Sequence, residues 1–512
     1  MMGAMRALLL STVCIACACA ITLSGQGTAG RTWFDIPTPR GLGDPHAPTV
    51  DVSALKPAAP AVPSGETGWT ELAGPRIRQD LVRIVEFSKM DRASGSKAWG
   101  RITGFPAARL AFDWAAQQFQ TAGLRDVNVQ RYNGTGAMWT PQSWEAALLP
   151  SERLPDASQP LVLESAFPTS GSQITGGSIT ALLVDTGRTD TPLPGMLDVR
   201  DKIAVQHINS AAGAFSERTR TSERARELTG RGAAAVLNIV EQMGNMHVRD
   251  YGNCGGPCFN LGAEDGAFLS RVIRSAVDSG RTGDLHMRLT LRADMLAGLL
   301  GQNVVGIVPG VNDAENIIVN AHGDGWFDGA GDNGDGFAVV LALARHFAKA
   351  PPARTLVFVI SGGHHSSGLN GPANFVRMNP ALTKKTVLVV NLEHVAQFAV
   401  RPTPSWHAEP TEQPMTLGIS NQAPFLIDLG KRQREASGFN LNPTFGSNVP
   451  GDLGGYEPLG VARVQAIHSG PLYHTSGDTI ETISVPGLER AARFFAHFID
   501  EAAKAPRAAL NP

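Results

Sequence analysis

Two stretches decide how this chain is read: Ile317-Ile318-Val319-Asn320-Ala321-His322-Gly323-Asp324 and Gly329-Ala330-Gly331-Asp332-Asn333-Gly334-Asp335-Gly336. An apolar, β-branched run ends in a histidine and an aspartate. A glycine-rich loop then delivers Asp332 just before a helical pattern over Phe337 to Phe347. Val304 to Val308 precedes this series. Leu356 to Ile360 continues it into Ser361-Gly362-Gly363-His364-His365, Val387 to Leu392 ends in Glu393-His394, and Val464 to Ile467 is followed by Tyr473-His474-Thr475-Ser476-Gly477-Asp478-Thr479. Near-continuous aliphatic strands are buried on both faces, and connections too long for hairpins imply crossovers. The expected fold class is α/β, with a mixed, mainly parallel sheet flanked by helices. Ligands of such sheets bind beyond the carboxyl ends of the strands.

Those strand ends are where the chemistry-bearing residues fall. A single histidine beside a strand is ordinarily structural, but His, Asp or Glu recurs at five successive strand ends. His322 can bind a metal through its imidazole, and Asp324, two residues on, can orient that ring from behind. Two carboxylates and three imidazoles suit a borderline cation such as Zn²⁺. A bridging carboxylate, for which Asp332 is the candidate, can hold two ions about 3.5–4 Å apart. A serine hydrolase is excluded, because no Gly-x-Ser-x-Gly elbow follows a strand in this half of the chain.

The rest of the chain supplies context. Lys and Arg number 44 against 46 Asp and Glu in 512 residues, a net charge of −2. That balance gives no general drive toward nucleic acid or anionic lipid. Hydrophobic residues at 43% are enough for a core spread over several domains. Three of the five cysteines, Cys14, Cys17 and Cys19, lie in an apolar run that follows Arg6 and reaches Ala18-Cys19-Ala20. This pattern is read as a signal peptide over residues 1–30, placing the mature protein outside the cytoplasm, in the periplasm or the extracellular space. The alternative for the same segment is a membrane anchor, and no later stretch is long and apolar enough to span a bilayer. Residues 31–65 read as a Pro/Ala-rich leader without its own core. In an exported chain Cys254 and Cys258, set in Cys254-Gly255-Gly256-Pro257-Cys258, most simply form a small-loop disulfide.

Helical spacing begins at Ile77, Leu81, Ile84 and Val85, and a second helix runs from Pro106 to a stop at Gly123, followed by a strand at Val127 to Val129. Residues 135–298 then change character. Short β runs such as Ile179 to Val184 and Ile203 to Val205 alternate with turns, with one helix near Ser222 to Leu228 leading into Gly232 to Leu237. This is expected to be an inserted β-rich domain in which His207 and His247 are surface or core histidines. The amphipathic run Leu488 to Ile499 is expected to pack as a helix on the sheet.

Ala321-His322-Gly323-Asp324, Gly329 through Gly336, Asn391-Leu392-Glu393 and Tyr473-His474-Thr475 through Asp478-Thr479 occur in the order and spacing of a known family. On these motifs residues 300–500 resemble the catalytic domain of the co-catalytic zinc aminopeptidases of metallopeptidase family twenty-eight, a zinc exopeptidase-like fold. Its relatives include glutamate carboxypeptidases and glutaminyl cyclases. Residues 70–130 resemble the opening of the same domain. Residues 135–298 are similar to the protease-associated domain inserted there, most typically in Asp198 to Val205 and Gly232 to Leu237. The resemblance implies a catalytic domain of residues 66–134 and 299–507. It also implies one zinc ligated by His322, Asp332 and Glu393, and a second by the bridging Asp332, His365 and His474, with Asp324 bracing His322.

The chain departs from the family at two places. Glu393 stands where the family usually has Asp, and His364-His365 stands where it has two adjacent glutamates, the first a general base and the second a ligand. The pattern implies that His365 ligates in place of carboxylate and that His364, with an unperturbed pKa near about 6.5, takes the base role. Fewer carboxylates neutralise two dications less well, so one or two Zn²⁺ ions are expected. The function implied is a secreted zinc metallo-exopeptidase, aminopeptidase-like, acting on a peptide or small aminoacyl substrate. It has no nucleic-acid partner and no stable membrane span after signal cleavage. The alternatives are a degenerate, weakly active or inactive metal- or peptide-binding homologue, or a glutaminyl cyclase-like acyltransferase.

Overall fold

The computed structural model describes residues 32–38, 45, 50–151, 159–211, 213–403 and 405–512. The signal-like segment 1–30 and most of residues 39–49 of the leader lie outside the described residues. Among the described residues no helix is long and apolar enough to cross a membrane.

Seven strands form the sheet that carries the strand-end motifs. Their order across the sheet is Thr416–Ile419, Ala462–Ile467, Thr386–Leu392, Asn312–His322, Arg354–Ser361, Leu300–Val308 and Arg125–Asn133. The four strands from Ala462–Ile467 to Arg354–Ser361 pair in parallel, and the outer pairings are antiparallel. The sheet is therefore mixed, with a parallel centre. Strands Arg354–Ser361 and Thr386–Leu392 are buried at every position, as their unbroken aliphatic runs require when helices cover both faces. Helices Gly74–Ala93, Pro106–Thr121, Asp335–Lys349 and Val485–Lys504 share one apolar core with the sheet, filled by Ile77, Leu81, Phe112, Phe337, Phe358 and Phe494.

Parallel register fixes the functional edge. His322 is paired with Ser361, Asn320 with Asn391, and Leu392 with Ala466. The residues that follow these positions, Gly323-Asp324, Gly362 to His365, Glu393-His394 and Ile467 to Asp478, therefore leave the sheet at the same edge.

Between strands Arg125–Asn133 and Leu300–Val308 the chain builds a second, eight-stranded sheet. Its order is Leu161–Val162, Met138–Leu148, His286–Leu296, Ser178–Arg188, Ile203–Asn209, Ala235–Glu241, Cys258–Leu261 and Phe167–Pro168. The sequence pattern predicts one helix here, whereas among the described residues there are two α-helices, Gly213–Gly230 and Ala263–Asp278. The second was legible: Phe268, Leu269, Val272, Ile273 and Ala276 recur at helical spacing and all are buried. Cys254 and Cys258 form a disulfide. The leader residues Trp33 and Phe34 are buried in the core of this second sheet, so a segment without its own core uses another's.

The two histidines of this module have structural surroundings. His247 is buried against Phe167 and Phe327. His207 lies 3.5 Å from Asp185 and 3.7 Å from Glu241, and hydrogen bonding to these two carboxylates raises it to about 9. A folded-state value above the unfolded one of about 6.5 gives stability that is full below that pH and lost as pH rises through the folded value. His207→Gln is therefore expected to melt below the wild type at about pH 6, with the gap closing between about pH 6.5 and 9. Melting midpoints across this range are the check, and a gap independent of pH would contradict the assignment.

Candidate metal centre

The imidazoles of His322, His365, His394 and His474 converge on the carboxylate of Asp332. Asp332 Oδ1 lies 3.4 Å from Nε2 of His322, 3.3 Å from Nε2 of His365 and 3.0 Å from Nε2 of His394. Its other oxygen, Oδ2, lies 2.9 Å from Nε2 of His474. Glu393 Oε1 approaches Nε2 of His322 at 3.7 Å and of His394 at 3.9 Å. The four Nε2 atoms and both Asp332 oxygens are buried without a hydrogen-bond partner.

Six sealed, unpaired polar atoms at one point are costly unless something satisfies them. Nitrogen and oxygen ligands set about 2.1 Å from a common ion lie about 3–3.5 Å from one another, close to the 2.9–3.4 Å between Asp332 and the four rings. The donor set therefore fits a divalent transition ion, and two sub-clusters are close enough to ligate: His322 with Glu393 and His394, and His322 with Asp332 and His365.

What lies behind each ring fixes its orientation. Nδ1 of His322 is 3.0 Å from the backbone oxygen of Asp324 and 3.6 Å from its carboxylate. Nδ1 of His394 faces the backbone oxygen of His468 at 2.5 Å, and Nδ1 of His474 is hydrogen-bonded to the carboxylate of Asp250. A proton held at Nδ1 leaves the Nε2 lone pair for the centre. The carboxylates are held as firmly. Glu393 Oε2 accepts from Asn391 and Gln465, which turns Oε1 toward the rings. Asp478 accepts the backbone N–H groups of Gly331 and Asp332 at 2.7 and 2.9 Å, and the buried Arg101 guanidinium donates to the carbonyls of Gly323, Asp328 and Gly329. A Cβ on Gly331 would stand 3.0 Å from Asp478 Oδ1 and 2.8 Å from Gln397, so the glycine lets the loop close on its anchor.

His364 is built differently. Its Nδ1 pairs with Asp452 at 2.8 Å, its Nε2 is 3.7 Å from Glu393, and its ring stacks on His322 at 4.0 Å. Asp452 in turn accepts from Ser361 and Asn320. The side chain of His364 is 14% exposed, against 3% for His365. A Cβ at the left-handed Gly451 would meet its ring at 3.0 Å.

Burial alone would raise the Asp332 carboxyl, but the imidazoles of His365 and His394 override it and hold the group well below its ordinary range. Burial would lower His394, yet Asp332 and Glu393 push it up to about 9. Burial takes His365 down to about 4. Behind the ligands burial lifts Asp478 to about 7.

The sequence-derived candidates His322, Asp332, His365, Glu393 and His474 thus lie in one cluster, with Asp324 behind His322 and His364 at the rim. Asp324 also accepts the backbone N–H of His365 at 3.0 Å. Sequence reading assigned no role to His394, Asp452, Asp250 or Asp478. His394 had a signal, since it follows Glu393 at a strand end, and Asp478 stood within a motif already quoted. Asp452 and Asp250 had none, lying 88 and 224 residues from their partners.

A mixed sheet whose parallel strand ends present imidazoles and carboxylates to one sealed cluster defines an α/β fold with a candidate metal centre. Residues 303–499 match the model of peptidase family M28. Aminopeptidase YwaD of Bacillus subtilis is 25% identical over 418 residues, covering 79% of this chain and 81% of that protein. The solved structure of BSAP, a zinc aminopeptidase from Bacillus subtilis, is similar with a TM-score of 0.58 and 22% identity, covering 86% of this chain and 98% of that one. A peptidase M28 precursor from Shewanella amazonensis gives a TM-score of 0.60 and 18% identity, covering 84% and 96% of the two chains.

In the metal-free protein His394 carries a proton at neutral pH that a bound cation must displace. Calorimetric titration of the metal-free chain with a divalent transition ion, at about pH 7 in buffers of different ionisation enthalpy, is expected to register net proton release. Affinity should fall as the pH is lowered, and uptake without proton release would contradict this reading.

Proposed function

We propose that the chain is a zinc-dependent exopeptidase of the aminopeptidase type, releasing terminal residues from peptides or small aminoacyl substrates outside the cytoplasm. The observation that carries this reading is the division among five imidazoles: four have sealed Nε2 atoms turned on Asp332, and His364 alone reaches the rim. Zinc is supported by the nitrogen and oxygen donors and by the zinc aminopeptidase whose fold is similar. Two ions suit a carboxylate whose oxygens face different imidazoles. Asp332 would bridge, with His322, Glu393 and His394 on one side and His365 and His474 on the other.

Bound zinc supplies Lewis acidity to the scissile carbonyl and lowers the pKa of the attacking water. The protein's own groups do the rest. His364, its Nδ1 proton directed to Asp452, presents a free lone pair at Nε2 and accepts the proton of the attacking water there. It then returns that proton to the leaving amine. Asp452 holds the ring in the required tautomer and stabilises the imidazolium that forms. Asp324 fixes His322 and orders the backbone of His364 and His365. The chain organisation that fits this reading is a signal over 1–30, a leader over 31–65, a catalytic domain of 66–134 and 299–507, and a protease-associated domain of 135–298.

Assays of the purified mature chain on aminoacyl and dipeptide substrates are expected to give turnover that a chelator abolishes and zinc restores. His364→Ala should lower kcat by about 10²–10⁴-fold with metal content unchanged. Two firmly held ions without turnover on any substrate in the panel would overturn the enzymatic reading, and undiminished kcat in His364→Ala would overturn the base assignment.

A further inference from the structure

We propose that Asp250, which belongs to the inserted module, is a positioning residue of the metal centre: its carboxylate fixes His474, so the centre is complete only with that module docked. This rests on the metal reading above. The Nδ1 partners of His322, His364 and His394 are Asp324, Asp452 and His468, all from the catalytic sheet and its loops. His474 alone takes its Nδ1 partner from the inserted module, across 224 residues of sequence. Its Nε2 is directed at Asp332 Oδ2, the oxygen that faces none of the other three rings.

The contact belongs to a built joint. The backbone N–H of Arg249 donates to the His474 carbonyl at 3.1 Å, and that of Ser476 donates to the His247 carbonyl at 3.0 Å. Val248 and Thr475 form an antiparallel bridge between these bonds. The backbone N–H of His247 donates to Ser476 Oγ at 2.9 Å, and Gln242 donates to the Pro471 carbonyl. Beneath them Ile208, Met246, Val248 and Tyr251 of the module pack with Leu472 and Val400 of the catalytic half.

Asp250 and His474 both sit in the left-handed region, at φ 64° and 57°. Such a conformation in residues other than glycine persists only where surrounding contacts hold it. Here those contacts are the backbone bonds and the single antiparallel bridge of the joint. The carboxylate is also the group that suits the task. A charged acceptor behind a ligating imidazole fixes the ring, raises its basicity and adds a negative charge to a centre rich in neutral donors.

The test uses the full chain, stripped of metal, as wild type, Asp250→Asn and Asp250→Ala. Each is titrated with Co²⁺, followed by its visible absorption, and with Zn²⁺ against a chromophoric chelator. We expect both variants to keep one ion at wild-type affinity, to bind the second about 10–100-fold more weakly, and to show an altered Co²⁺ spectrum for that ion. Wild-type affinity and spectrum for both ions in the two variants would overturn the proposal, even if the metal-free protein melts lower, because Asp250 would then be only a clasp. A wild-type chain that takes up neither Co²⁺ nor Zn²⁺ would instead overturn the metal reading itself. Should the variants fail to fold, the wild type loaded with Co²⁺ supplies the second measurement, by proton NMR. The ion-shifted Nδ1 proton of His474 is expected to resist exchange with solvent, and its rapid loss would overturn the assignment.

Discussion

The carboxylate of Asp332 is buried, and neither of its oxygens has a hydrogen-bond donor. An uncompensated carboxylate in such a place is among the costliest features a fold can carry, and the surrounding structure is arranged around holding it. Asp478 receives the N–H groups of the loop, and Arg101 gathers the carbonyls on the other side of it. Four imidazoles close over the two oxygens. His322, His394 and His474, raised above their ordinary values by neighbouring carboxylates despite burial, supply positive charge, whereas burial lowers His365.

Replacing carboxylate by imidazole at His364 and His365 does not remove negative charge from the site so much as move it outward. Asp324 stands behind His322, Asp452 behind His364 and Asp250 behind His474. Each ring therefore couples the centre to a carboxylate one group further away, where it shapes basicity without occupying a coordination position. His364 is paired at 2.8 Å with the buried carboxylate of Asp452. Burial and His322 would lower this imidazole, but the carboxylates of Glu393 and Asp452 outweigh them and raise it above its ordinary value.

The sheet was legible from the sequence because its strands are short unbroken aliphatic runs bounded by glycine and polar residues, and parallel sheets demand that pattern. Strand-end logic collects His322, Asp332, His365, Glu393 and His474 from the sequence, since parallel register brings those ends together. The same logic extends to His394, which adjoins Glu393 at the end of strand Thr386–Leu392. The helix Ala263–Asp278 was passed over among short β runs despite its apolar spacing. Asp452 and Asp250 were beyond reach for a different reason. Each is brought to its histidine by tertiary packing of a 3-10 helix or of the inserted module, and no local periodicity records that approach.

The most direct measurement of the central claim is anomalous diffraction from crystals of the zinc-loaded full chain, collected on either side of the zinc absorption edge. We expect two peaks separated by about 3.5–4 Å, both bonded to Asp332, with His322, Glu393 and His394 around one and His365 and His474 around the other. Crystals grown with zinc that show no peak within the cluster, with ordered water filling the space between the imidazoles and Asp332, would contradict it.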